Sequence, residues 1–129
     1  MRKFILRGRQ AVESKNIVTC VNMISKDYHD KYGNDRQSLI YATKEVFGYY
    51  SKILVHINDM DIELNDSNTQ ANVKIMALVV GQTQVNNAEK ILEGKKNGFR
   101  IKLIKEDKTW QLSELEFYEP ITIMGQTIS

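Results

Sequence analysis

The residues most able to do chemistry are crowded into Ser25 to Arg36, which holds three aspartates, two tyrosines, a histidine, a glycine and an arginine. An aspartate within reach of a substrate proton can act as a general base, and a tyrosine beside it can steady a developing enolate. The same residues suit a helix junction. Asp27 and Asp30 can cap backbone N–H groups or pair with Arg36, Gly33 can supply a tight turn, and Tyr28 can plug the gap. The junction is the stronger reading, because nothing in the spacing places Asp27 or Asp30 inside a cavity. Tyr28 alone keeps a claim on a ligand.

Outside this segment the chemistry thins. His29 and His56 are the only histidines, and neither has a second ligand at metal-binding spacing, so no metal site is expected. Asp59 and Asp61 fall at a break in strand parity, where a bulge can re-aim side chains. Cys20 lies beside Val18 and Val21 and reads as an inert core thiol. As the only cysteine, it rules out an intramolecular disulfide and thiol-rich metal centres. The sequence contains no glycine-rich phosphate loop, dinucleotide fingerprint or nucleophile elbow, and no cofactor is expected.

Lys95, Lys96, Arg100, Lys102, Lys105 and Lys108 form a basic band, and Arg2, Lys3, Arg7 and Arg9 form a second cluster. Without interleaved stacking aromatics the band reads as a solvated strand face rather than a nucleic-acid surface. The net charge of +2 agrees. A chain of 129 residues, 42% hydrophobic and 26% charged, fits one domain, residues 1–129, with an ordinary core. No stretch approaches the roughly 20 apolar residues of a membrane span, so no membrane partner is expected. The start has only three consecutive apolar residues, Phe4 to Leu6, short of the roughly 7–15 of a secretory signal. A soluble chain, cytoplasmic by default, is the expectation; an export signal already removed would leave no trace.

The elements that must carry these residues change character midway. Phe4, Ile5, Gly8, Ala11 and Val12 recur at helical spacing, as do Ile17, Val18, Val21 and Ile24 after an offset at Ser14–Asn16. Asn16 can cap the second helix. Asn34 with Gln37 forms a capping-box pattern for a third helix bearing Leu39, Ile40, Val46, Phe47 and Tyr50, with Asp35 in its first turn. From Ile53 the period becomes two, slipping at Asn58–Met60 and again between Leu112 and Leu115, which predicts two bulged, bent strands. Asn65–Asn68 marks a hairpin turn and Glu106–Lys108 another, while residues 83–98 read as a loop or long hairpin connection. Met76, Leu78 and Val80 make the 71–82 strand apolar on both faces, which calls for cover on its outer side. The tail after Pro120 is apolar too, and could add a strand, lie over the cavity or dock on a neighbour.

Helices followed by a bent antiparallel sheet, carried by A-V-E-S-K-N-I (11–17), I-S-K-D-Y-H-D-K-Y-G-N-D-R (24–36), the helix to Tyr50 and F-R-I-K-L-I-K-E-D-K-T-W-Q-L (99–112), resemble the nuclear transport factor 2-like superfamily. This is the cystatin-like α+β cone, SnoaL/ketosteroid isomerase-like, and the resemblance is narrowest to an uncharacterised bacterial branch. It implies three N-terminal helices packed on a strongly curved antiparallel sheet, enclosing a cavity. The leading expectation is a small apolar or aromatic ligand held by Tyr28, Phe47, Tyr50, Trp110 and Phe117, in a homodimer formed through the convex sheet face. The alternatives are an isomerase, dehydratase or cyclase using a cavity carboxylate such as Asp59 or Asp61 with a tyrosine, and a protein-interaction module. Catalytic residues are not assigned.

Overall fold

The computed structural model describes residues 1–85, 88–118, 121–124 and 126–128, without the side chains of 84–97, 121, 122, 127 and 128. Three helices, α1 (Arg2–Glu13), α2 (Ile17–Met23) and α3 (Arg36–Tyr49), precede the strands. Four of these, β1 (Lys52–Leu64), β2 (Gln70–Val85), β3 (Ala88–Glu106) and β4 (Thr109–Phe117), form an antiparallel meander in chain order. β5 (Ile121–Ile123) and β6 (Gln126–Ile128) make a separate hairpin.

The break between α1 and α2 falls where the periodicity shifts. Lys15 turns the chain with a left-handed φ of 52°, and the Asn16 side chain accepts the Thr19 N–H at 3.1 Å to begin α2. The Lys15 ammonium then donates to the Phe47 and Tyr50 carbonyls at 3.3 and 3.0 Å, tying this corner to the far end of α3. There the positive charge meets the negative end of the helix dipole.

The start of α3 departs from expectation. Asp35, not Asn34, is the N-cap, and its carboxylate accepts the Ser38 N–H at 2.8 Å. Asn34 is unavailable because its backbone N–H and its side-chain amide both donate to Asp30.

The sheet bends where the ladder slips. β1 and β2 change register between Ile57 and Asp59, and β3 and β4 between Lys102 and Leu103, leaving Asn58 and Ser113 as the extra residues. A third slip, between Val80 and Gly81, has no parity signal in the sequence. Each extra residue increases local twist and coil. Of the two readings of residues 83–98, the long hairpin is the one formed: β2 and β3 stay paired from Thr83↔Lys90 to Val85↔Ala88. Main-chain hydrogen bonds carry this ribbon, so the weak alternation of its side chains gave no strand signal. The β3–β4 turn places Asp107 and Lys108 at φ 50° and 68°, the left-handed pair that a two-residue hairpin requires.

The core lies between the helices and the concave face, where Val73, Ile75, Ala77, Ile101 and Leu103 pack with Ile5 of α1. A smaller cluster, Ile24, Tyr28 and Ile40, seals the α2–α3 junction.

The Asp35 cap has a pH signature. Hydrogen bonds from Ser38, the backbone N–H foremost, hold its carboxyl below the usual range. A depressed folded-state pKa adds stability that is complete above the unfolded value and lost as pH falls through the folded one. Asp35→Asn, itself a good cap, is therefore expected to match the parent near neutral pH and to lose less stability on acidification in thermal melts from pH 7 to 3.

Candidate functional site

The concave face and the helices do not close completely. They leave a cavity of about 430 Å³ walled by all three helices, β1 to β4 and Ile123 of β5. Helix α1 presents Phe4, Ile5, Gly8, Arg9 and Val12, spacings that trace one helical face. Helix α2 adds Cys20 and Met23 with Ile24 at its C-cap, and α3 adds Leu39, Thr43 and Val46 with Tyr50 at its C-cap. The sheet contributes Ile53, Val55, Ile57, Ile75, Val79, Phe99, Ile101, Leu112, Leu115 and Phe117.

The wall is apolar with few exceptions, and those are mostly committed elsewhere. Thr43 Oγ1 donates to the Leu39 carbonyl at 2.8 Å. The Tyr50 hydroxyl accepts the Met124 N–H at 2.9 Å, which seats the tail hairpin beside the cavity. Tyr50 lies close on β2 because residue 81 is glycine; a Cβ there would fall 2.5 Å from its ring. Cys20 is a wall residue rather than a core one, and burial raises its thiol pKa. Among the described residues, no Asp, Glu or His side chain lines the cavity.

Of the five expected ligand contacts, Tyr50 and Phe117 stand in the wall, whereas Tyr28, Phe47 and Trp110 do not. Tyr28 and Trp110 are drawn away by other partners, and Phe47 sits off the inward face of its helix. Tyr28 is 2% exposed and packs on Ile24 and Ile40, with its hydroxyl donating to Asp30 at 2.6 Å. Burial and then the Asp30 carboxylate push its pKa well above the usual phenol range. Phe47 lies one residue round α3 from Val46, at the end held by Lys15. Trp110 packs against the main core with the Lys105 ammonium 5.2 Å from its ring centre. Asp59 and Asp61, the candidate carboxylates of the enzymatic alternative, are exposed on β1 away from the cavity.

The Ser25–Arg36 segment is the wall's support. Asp30 accepts four hydrogen bonds, from the Tyr28 hydroxyl, the Tyr32 and Asn34 backbone N–H groups and the Asn34 amide. Arg36 donates to the Ile24 and Val21 carbonyls at the end of α2. So shaped, the segment binds the outer edge of β4. Ser25 N–H reaches the Leu112 carbonyl, His29 N–H the Ser113 carbonyl, and Phe117 N–H the Tyr32 hydroxyl.

Both histidines are exposed, His29 in this segment and His56 opposite Leu78 on the convex side. Among the described residues no three His, Cys, Asp or Glu side chains converge on a metal position. Arg100 of the basic band is bound to Glu114, Glu116 and Asn72; the side chains of Lys95 and Lys96 lie outside the described residues. No described helix is long and apolar enough to cross a membrane.

Sequence reasoning passed over Arg9, Thr43 and Gly81. For Arg9 a signal existed, since it follows Ile5 by four residues and precedes Val12 by three, on the helical face that points inward.

No family model and no curated protein matches the chain by sequence. Solved structures do match in shape. A scytalone dehydratase-like protein of Novosphingobium aromaticivorans superimposes with a TM-score of 0.76 at 14% identity, over 90% of this chain and 78% of that one. An NTF2-like superfamily protein of Salmonella enterica gives 0.73 at 8% identity, over 93% and 88%. A cystatin-like-fold protein of unknown function from Nostoc punctiforme gives 0.68 at 10%, over 90% and 85%. The chain has the NTF2-like fold. At these identities the likeness is one of fold, and fold alone does not carry activity.

Asp30 should matter more to this NTF2-like domain as a scaffold than Tyr28 does as a phenol. Asp30→Ala strands several buried or partly buried donors and should cost roughly 3 kcal/mol, whereas Tyr28→Phe leaves Asp30 its other donors and should cost about 1 kcal/mol. Urea unfolding of the two variants measures the difference; equal losses would contradict the ranking.

Proposed function

We propose that this domain binds a small apolar or aromatic ligand in the cavity between its helices and curved sheet. The observation that carries this reading is the cavity itself: about 430 Å³, walled by aliphatic and aromatic groups from every layer of the fold. That volume falls in the range of ligand pockets, which are largely apolar with a few orienting polar groups. Tyr50 and Phe117 offer aromatic surface to such a ligand.

The dehydratase-type reading draws on fold likeness alone. A general base must come within hydrogen-bond reach of the substrate proton, and the described wall supplies no carboxylate or imidazole for it.

A neutral fluorescent ligand, N-phenyl-1-naphthylamine, tests the binding reading. Its emission should rise saturably with the parent protein, and Val46→Phe, which places a ring in the cavity from α3, should weaken binding by about fivefold or more. Circular dichroism checks that the variant keeps its fold. No saturable signal from the parent, or unchanged affinity in a folded variant, would count against the cavity.

A homodimer through the convex sheet face is the assembly we propose. Leu54, Met76 and Tyr118 are 42%, 38% and 47% exposed there, beside Leu78 and Val80, and such apolar patches mark contact surfaces. Sedimentation equilibrium should give a dimer for the parent and a monomer for Met76→Lys. A parent that stays monomeric at every concentration would leave this face to a different protein partner.

A further inference from the structure

Charge enters the cavity wall at one described position, Arg9. Its stem continues the inward face of α1 set by Ile5 and Gly8, while 41% of its side chain is open to solvent. A residue that both lines a cavity and meets solvent stands at the rim. There the guanidinium is held from one side. Its Nε lies 3.4 Å from Glu13 Oε1, and the other Glu13 oxygen accepts the Val55 N–H at 2.9 Å. Glu13 is therefore anchored to the edge of β1 and in turn orients Arg9. The terminal amino groups of Arg9 make no hydrogen bond among the described residues.

The electrostatic setting favours an anion at that point. Glu13 is the negative group facing Arg9, and its charge is already shared between the guanidinium and a strand N–H. The described wall presents no carboxylate that would repel an incoming anion. A guanidinium also offers paired donors whose geometry matches a carboxylate or sulfonate, and such charge-assisted bonds are stronger than neutral ones.

We infer that the ligand class is an amphipathic anion, with an aromatic or aliphatic body in the cavity and one acidic group on Arg9 at the rim. This rests on the cavity-binding reading above and adds to it the ligand's charge and orientation. Arg9 is in this view a specificity residue, and Glu13 positions it.

Two fluorescent probes with the same ring system separate the two readings. N-phenyl-1-naphthylamine is neutral, and 1-anilinonaphthalene-8-sulfonate adds a single acidic group. The parent should bind the sulfonate about tenfold more tightly, and the two probes should compete. Arg9→Gln should abolish that preference, bringing the sulfonate's affinity down to that of the neutral amine, and Arg9→Lys should retain part of it. Thermal melts confirm that the variants are folded. The inference is overturned if the parent binds both probes equally, or if Arg9→Gln keeps the preference for the sulfonate. If neither probe binds the parent, the cavity reading fails and takes this one with it, an outcome distinct from neutral binding in which Arg9 plays no part.

Discussion

The closed side of the cone depends on one carboxylate. Asp30 gathers four donors from Tyr28, Tyr32 and Asn34, and the loop so shaped covers the outer edge of β4. An edge strand presents unpaired N–H and C=O groups that must be satisfied or left to other chains. A loop can satisfy them only if it is held in a single conformation. Each residue ordered costs about 1–2 kcal/mol of backbone entropy, more than a typical hydrogen bond returns. The segment holds because its bonds converge on Asp30 while Ile24 and Tyr28 are buried with Ile40. Remove that convergence and both the β4 edge and the α2–α3 junction lose their support.

Curvature explains why a cavity exists at all. Three register slips bend the four-stranded sheet, and straight helices laid across a curved surface cannot touch it everywhere. Where they do, Val73, Ala77 and Leu103 are fully buried. Where they do not, Val46 and Thr43 of α3 face Val55 and Val79 of the sheet across open space. Tyr50 and Gly81 mark the transition, the ring filling the room that the missing Cβ leaves. The tail hairpin docks at this point through the Tyr50 hydroxyl, which brings Ile123 to the wall. The same geometry leaves the convex face with more apolar surface than a solvated sheet needs, since Leu54, Met76 and Tyr118 have no helix above them.

Much of the framework was legible because its causes are local. Asn16 caps α2 as its position before Ile17 implies, and the parity slips at Asn58 and Ser113 are bulges. The failures share a different cause. Asn34 has the side chain and spacing of a cap, but Asp30 competes for it and Asp35 takes the role. Residues 83–98 lack a clear alternation, which left loop and long hairpin both open; they extend two strands whose pairing is made by backbone rather than side chains. Arg9 carried a positional signal on the inward face of α1 and was hidden by its membership of a basic cluster.

The sequence by itself determined the α+β class, the order of helices and strands, and two of the three bends of the sheet. These follow from side-chain periodicity, capping and inserted residues, all of which act over a few positions along the chain. Only the tertiary structure decided which groups meet the cavity. Tyr50, Phe117 and Arg9 do so, whereas Tyr28, Phe47 and Trp110 do not. An aromatic residue's type says that it will be buried, not against what. Its direction is settled by the angle at which a helix crosses a curved sheet, and by whichever distant partner competes for it most strongly.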